Sequence, residues 1–141
     1  MKREEIILLV EDNKADELLF KEALRELKVE YPVIVCTDGE EALDYLRAVK
    51  EEIFLLICDM NMPKMNGLEL KRNIESHPEF KMKAIPFIFF STSASQKEVT
   101  EAYDLGVQGY FNKALTLDEL LKNLDIIVKY WERCRHPRNI I

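Results

Sequence analysis

Apolar residues occur in five short runs, and longer amphipathic segments separate them. Four of the runs are nearly unbroken in Ile, Leu, Val and Phe, which is typical of strands buried on both faces of a parallel sheet. The runs predict strands over Ile6–Val10, Val33–Thr37, Phe54–Asp59, Phe87–Ser91 and Gly109–Asn112.

The segments between the runs have helical periodicity. The last is the clearest, with apolar residues at the i, i+3, i+4, i+7 spacing of Leu117, Leu120, Leu121, Leu124, Ile127, Val128 and Trp131. Thr116 and Glu119 form a capping-box pattern at its start. Four earlier segments are also predicted to be helices, because each has a stripe of apolar residues at helical spacing; these stripes begin at Ala15, Ala42, Leu68 and Val99. Residues 76–84 are predicted to be a long loop.

Strict alternation of strands and helices predicts an α/β fold. Right-handed crossovers then give a doubly wound (βα)₅ unit, with a parallel sheet and helices on both faces. We expect this domain to span residues 1–132. Residues 133–141 are expected to be a short solvated tail, with no output domain after them. Cys134 and His136 in that tail are too few to predict a metal site.

Composition narrows the class of protein. Of the 141 residues, 48% are hydrophobic and 33% are charged, which is a globular composition. The net charge of −6 disfavours nucleic-acid binding, which needs a basic face. No apolar run is long enough to span a membrane. Three cysteines without a regular spacing are expected to be free thiols, so the predicted location is the cytoplasm.

Polar residues follow four of the predicted strands. Ligands bind beyond the carboxyl ends of the strands in open α/β sheets, so these residues are expected at one rim. They are Glu11, Asp12, Asp59, Asn61, Ser91 and Lys113. Carboxylates brought together repel one another unless a cation lies among them. Oxygen ligands favour a hard divalent ion, and Mg²⁺ fits best.

The ordered motifs resemble the receiver domain of response regulators in two-component signalling, and in particular the chemotaxis-regulator-like and phytochrome-response-regulator-like single-domain forms. The resemblance runs from Ile6 to about Trp131. It rests on the Glu11-Asp12 pair and on the segments LLICDMNMPKMNG, IPFIFFSTSAS and GVQGYFNKA. It implies a flavodoxin-like sheet with strand order 2-1-3-4-5.

The resemblance also implies roles for individual residues. Asp59 is similar to the phospho-acceptor, and Glu11 and Asp12 are similar to the acidic pair that holds Mg²⁺. Asn61 lies where a backbone carbonyl is a further metal ligand. Ser91 and Lys113 match the hydroxyl and the lysine that bind the phosphoryl group, and Tyr110 matches an aromatic switch residue.

Partners follow from the same resemblance. The phosphoryl donor would be a sensor histidine kinase or a histidine phosphotransfer protein. The output would be docking to a downstream protein through the face of the predicted fourth helix, fifth strand and fifth helix, or transfer of the phosphoryl group onward. Neither nucleic acid nor membrane is an expected partner, and a homodimer is left open. The domain would be a signalling switch that assists only its own phosphorylation and dephosphorylation.

One departure and three alternatives remain. Ala114 follows Lys113 where the family usually has a proline, which leaves the placement of Lys113 and the geometry of the Lys113–Ala114 peptide open. A phosphohydrolase of the haloacid-dehalogenase type needs a second Asp two residues after the first, and position 61 holds Asn61 instead, which counts against this alternative. A flavodoxin-like FMN binder needs a phosphate-binding loop after the first strand. This chain has the carboxylates of Glu11 and Asp12 there, which would repel a phosphate group. A pseudo-receiver that binds partners without phosphorylation is the third.

Overall fold

The computed structural model describes residues 5–92, 95–113 and 116–137. Five parallel strands form one sheet in the order β2-β1-β3-β4-β5, which confirms the predicted fold class and strand order. The strands are β1 (Glu5–Val10), β2 (Val33–Cys36), β3 (Glu52–Asp59), β4 (Phe87–Ser91) and β5 (Gly109–Asn112). The helices of the described part are α1 (Lys14–Glu26), α2 (Gly39–Ala48), α3 (Gly67–Ser76), α4 (Pro78–Lys81), α5 (Gln96–Asp104) and α6 (Leu117–Arg133).

The sheet separates two apolar cores. Alternate residues of each strand point to opposite faces, so β1 contributes Leu8 to one core and Leu9 to the other. The first core contains side chains from α2, α3, α4 and α5. The second contains side chains from α1 and α6, including Phe20 and Leu124. The three central strands, β1, β3 and β4, are buried on both faces, as their unbroken apolar sequence predicts. The edge strand β2 was also predicted to be buried, but most of its residues are only partly buried, because an edge strand has a neighbour on one side alone.

Each of the five longer helices begins at a polar N-cap residue that follows a strand or loop. Asn13, Asp38, Asn66, Ser95 and Thr116 are the N-cap residues of the five longer helices, and each side chain accepts a hydrogen bond from a backbone N–H of the first turn. These bonds satisfy donors that have no partner inside the helix. They also fix where each helix begins at the carboxyl edge of the sheet. No helix within the described ranges is long and apolar enough to cross a membrane.

The predicted loop 76–84 contains the short helix α4, so that prediction was incomplete. Pro78 is at the first position of α4, where a missing N–H costs nothing. Phe80 is only 1% exposed and is packed in the first core. The guanidinium of Arg47 lies 5.9 Å from the centre of its ring. One aromatic anchor therefore orders a segment that lacks helical periodicity.

The C-terminal segment is not simply solvated. His136 is buried, and its Nε2–H donates a hydrogen bond of 2.6 Å to the carbonyl oxygen of Ala84. The prediction of a solvated tail is therefore wrong at His136, because one ring nitrogen replaces solvent at the carbonyl of a loop residue. Residues 138–141 lie outside the described residues. Cys36, Cys58 and Cys134 are free, as predicted.

Gly67 allows α3 to begin directly behind Asp59. Its N–H donates to the carbonyl oxygen of Met60, and a Cβ on Gly67 would lie 2.5 Å from Cε1 of Phe89 and 2.6 Å from the Asp59 carbonyl oxygen. We expect Gly67→Ala to lower the free energy of unfolding by about 2 kcal/mol, because backbone and a core ring must both move.

Denaturant unfolding measures this effect, and Gly106→Asn is the matched control. Gly106 has a φ of +82°, which Asn tolerates, and nothing lies within 4 Å of its would-be Cβ. The free energy of unfolding of this control variant should fall by about 1 kcal/mol or less. Equal losses in the two variants would contradict the close approach at Gly67.

Candidate functional site

Three carboxylates meet at the carboxyl edge of the sheet. β1 pairs with β3 with Val10 opposite Cys58, so the next residues, Glu11 and Asp59, lie side by side. One carboxylate oxygen from each of Glu11, Asp12 and Asp59 lies within 4.8 Å of the others. Glu11 and Asp59 are buried, whereas Asp12 is exposed. The structure thus brings together the three acidic residues that the sequence placed at one rim.

Lys113 extends into this carboxylate cluster from the end of β5. Its Nζ lies 2.8 Å from Oε1 of Glu11, 2.8 Å from Oδ2 of Asp16 and 3.4 Å from Oδ2 of Asp59. Its backbone N–H donates a 2.8 Å hydrogen bond to the Ser91 carbonyl oxygen. These contacts fix the position of the ammonium, which the sequence had left open. The Lys113–Ala114 peptide lies outside the described residues.

Asp16 is a site residue that the sequence analysis missed. It lies in the first turn of α1, where its backbone N–H donates to Oδ1 of Asn13 at 3.0 Å. The backbone N–H of Asn13 in turn donates to Oε2 of Glu11 at 3.2 Å. A signal was available, because the helix that follows β1 must begin at the same edge as Glu11. Its first-turn carboxylates therefore belong to the same rim.

Ser91, Tyr110 and Asn61 are the remaining residues that the sequence assigned to the site. Ser91 is the last residue of β4 and is fully buried. Tyr110 on β5 is half-buried, and its ring centre lies 5.6 Å from that of Phe89. Burial raises the pKa of Tyr110, while a hydrogen bond with Ser91 acts in the opposite direction. Asn61 is exposed in the loop two residues after Asp59.

Burial and crowding set the charge of the cluster. Burial raises the pKa of Glu11 to about 7; the hydrogen bond from Lys113 opposes this rise, and the charge of Asp59 adds to it. Burial alone would lower the pKa of Lys113, but the hydrogen bonds with Asp16 and Glu11 raise it above its ordinary value. Lys113 is therefore a fixed positive charge at neutral pH. Ionisation of Glu11 therefore carries a free-energy cost in the folded protein without a bound cation.

This cost predicts a pH dependence of stability in the protein freed of divalent ions with a chelator. The folded-state pKa of Glu11 lies above its ordinary value of 4.5, so the folded state binds more protons than the unfolded state between pH 4.5 and about 7. The free energy of unfolding should therefore fall as pH rises through this window, by up to about 3 kcal/mol.

Urea unfolding at a series of pH values, with wild type compared with Glu11→Gln, isolates this contribution. The difference between the two proteins should change across the window and level off above it. A constant difference between the two proteins would show that Glu11 ionises without a penalty.

The donor set fits a divalent cation. Three carboxylate oxygens lie within 4.8 Å of one another, and all are hard ligands of the type that Mg²⁺ and Mn²⁺ bind. A cation among them would also remove the repulsion between Glu11 and Asp59 that helps to raise the pKa of Glu11. Glu11, Asp12 and Asp59 are thus suited to hold a metal ion, with Lys113 beside it.

Comparison with known proteins gives one consistent family. The family model described as "Response regulator receiver domain" matches residues 7–125. Response regulator Rcp1 of Synechocystis sp. is 33% identical over 131 residues, which cover 89% of this chain and 88% of Rcp1. Chemotaxis protein CheY1 of Helicobacter pylori is 34% identical over 122 residues, which cover 86% of this chain and 95% of CheY1.

Solved structures agree with these relatives. The phosphorylated cyanobacterial phytochrome response regulator RcpA superposes with a TM-score of 0.83 at 35% identity, covering 96% of this chain and 99% of RcpA. The Mn²⁺-bound form of Rcp1 gives a TM-score of 0.79 at 31% identity, covering 94% of this chain and 98% of Rcp1. The fold, the order of the site residues along it and these relatives agree: the chain belongs to the response regulator receiver domain family and is a signalling domain of two-component systems.

Proposed function

We propose that this receiver domain accepts a phosphoryl group on Asp59 in a Mg²⁺-dependent reaction. The donor is a phosphohistidine on a sensor histidine kinase or a histidine phosphotransfer protein. One observation supports this most strongly: Asp59 lies between two further carboxylates and a lysine ammonium, with Nζ of Lys113 3.4 Å from its Oδ2. Phosphoryl transfer asks a protein mainly to position the nucleophile and to balance charge, and this cluster has the groups for both.

The reaction needs one bond to form and one to break. A carboxylate oxygen of Asp59 attacks phosphorus while the P–N bond of the donor breaks, and the electron pair leaves with the imidazole, which then takes a proton. The product is an acyl phosphate on Asp59. Lys113 balances charge on the phosphoryl oxygens, since its ammonium already lies beside Asp59 and is held by Glu11 and Asp16.

The metal site is proposed to comprise Glu11, Asp12, Asp59 and the backbone carbonyl of Asn61. When bound, Mg²⁺ would neutralise carboxylate charge and polarise the phosphoryl oxygens. The Mn²⁺-bound structure of Rcp1 supports a divalent ion in this family. We assign Mg²⁺ to this chain because the described donors are hard oxygens.

The conformational switch is proposed to consist of Ser91 and Tyr110. The hydroxyl of Ser91 hydrogen-bonds Tyr110 in the structure. A phosphoryl group on Asp59 offers new acceptor oxygens and draws the Ser91 hydroxyl toward Asp59, which releases the phenol to adopt another rotamer. The surface that reads this change is the face of α5, β5 and α6, which the sequence analysis called the fourth helix, fifth strand and fifth helix. Tyr103 on α5 is 52% exposed on the surface of the protein.

The output is proposed to be protein binding or onward phosphoryl transfer. The two states must differ in free energy of partner binding for the switch to carry a signal. The receiver unit is assigned to residues 1–132. Its catalysis is confined to its own phosphorylation and dephosphorylation, and the downstream partner is a protein and not a nucleic acid or membrane.

Intact-mass analysis after incubation with acetyl phosphate tests the proposal. We expect a single phosphoryl adduct that forms with Mg²⁺ and is absent with a chelator. A phosphohistidine-bearing phosphotransfer protein should give the same adduct. A folded protein that forms no adduct with either donor would contradict the proposed phosphorylation and favour a receiver fold that binds partners without it.

A further inference from the structure

Within the described part of the chain, Lys113 has three carboxylate neighbours, and one of them lies outside the candidate metal site. A lysine ammonium has three N–H donors. Two of its contacts are short, at 2.8 Å to Glu11 and 2.8 Å to Asp16, and the third, to Asp59, is 3.4 Å. Glu11 and Asp59 belong to the cluster that can hold a metal ion, whereas Asp16 does not. Of these three described partners, Asp16 is the one whose carboxylate lies outside the cluster that would hold a metal ion.

The position of Asp16 is fixed from its backbone. The N-cap bond from its N–H to Asn13 holds it in the first turn of α1, and Phe20 and Leu24 on the same helix are buried in the second core. The Asp16 side chain is 32% exposed and that of Lys113 is 10% exposed, so the ion pair lies at the boundary of the site and not in bulk solvent. A charge-assisted hydrogen bond of this kind is shorter than one between neutral groups and roughly twice as strong.

We infer that Asp16 is a positioning residue, which holds the ammonium of Lys113 in place when Glu11 and Asp59 turn to the metal ion and the incoming phosphoryl group. This inference rests on the proposed function. One N–H of Lys113 stays on Asp16, so the others remain directed toward Asp59. Without that anchor, the flexible side chain has to be ordered during the reaction, which slows phosphoryl transfer.

The rate of phosphoryl adduct formation from acetyl phosphate at saturating Mg²⁺ measures this role. Asp16→Asn removes the charge and keeps the size, and we expect it to react about tenfold more slowly than wild type. Asp16→Glu keeps the charge and should recover most of the rate. Saturating Mg²⁺ removes any effect that acts through metal affinity.

Two comparisons separate positioning from a general effect of charge or fold. Glu17→Gln removes one negative charge from the same helix turn, but Glu17 pairs with Lys14 and Lys21 and has no ion pair with Lys113. Its rate should stay within about twofold of wild type. In the Lys113→Met background, adding Asp16→Asn should slow the reaction no further, because the two residues act as one unit.

Each outcome decides the inference. An Asp16→Asn rate equal to that of wild type overturns it, as does equal slowing by Asp16→Asn with and without Lys113. Both results leave the proposed function intact, because wild type forms the adduct. A wild type that forms no adduct overturns the proposed function, and this inference falls with it.

Discussion

Replacement of Asp59 by Asn is expected to abolish phosphoryl uptake completely. The amide of Asn is a poor nucleophile, and the described site places no second carboxylate at the end of β3. The fold should persist, because Asn has nearly the same shape and Lys113 keeps its 2.8 Å contacts with Glu11 and Asp16. Thermal stability without metal should be unchanged or higher, since the charge of Asp59 helps to raise the pKa of Glu11.

Intact mass after treatment with acetyl phosphate and Mg²⁺ measures the loss, together with a melting curve for each protein. Asp104→Asn is the matched control: it makes the same chemical change at an exposed position at the end of α5. The control should take up one phosphoryl group as wild type does. An adduct that persists on folded Asp59→Asn would place the acceptor elsewhere and contradict the proposed role of Asp59.

Replacement of Lys113 by Met is expected to have opposite effects on metal binding and on rate. Met keeps the apolar stem but removes the charge that Glu11, Asp16 and Asp59 share. The electrostatic potential at the metal site becomes more negative without the ammonium, so the affinity for Mg²⁺ should rise. Phosphoryl transfer at saturating Mg²⁺ should nevertheless slow by about 10² to 10³, because charge on the transferring group loses a nearby donor.

Calorimetric titration with Mg²⁺ and the rate of adduct formation report the two effects separately. Lys129→Met is the control, since Lys129 is 70% exposed and pairs only with Asp125 on α6 among the described ion pairs. It should change neither quantity by more than about twofold. Slower transfer that is fully restored by more Mg²⁺ would assign Lys113 to metal binding and would contradict its role beside the phosphoryl group.

The sheet could be predicted from the sequence because its three central strands are buried on both faces. Unbroken apolar runs such as Phe54–Asp59 have few other structural uses, and the structure extends this one only to Glu52–Asp59. The location of the site could be predicted from the topology, because parallel strands place their carboxyl ends at one edge of the sheet. Glu11, Asp12, Asp59 and Lys113 therefore meet as predicted.

The remaining features depend on single contacts that periodicity does not encode. Helix α4 is too short to show a helical pattern, and it is ordered by the burial of Phe80. His136 donates a hydrogen bond to the carbonyl oxygen of Ala84, a residue 52 positions away in sequence. Asp16 looks like an ordinary first-turn carboxylate until Lys113 is placed beside it at 2.8 Å. Long-range side-chain contacts of this kind become visible only in the folded structure, so the sequence pattern could not predict them.

The most direct test of the central claim is to locate the phosphoryl group by chemistry. An acyl phosphate on aspartate is reduced by borohydride to homoserine, whereas a phosphate ester on Ser or Thr is not. Peptide mass mapping after phosphorylation with Mg²⁺ and reduction should find homoserine at position 59 and at no other Asp. Homoserine at another position, or a phosphate ester on a hydroxyl residue such as Ser91, would contradict the assignment of Asp59 as the acceptor.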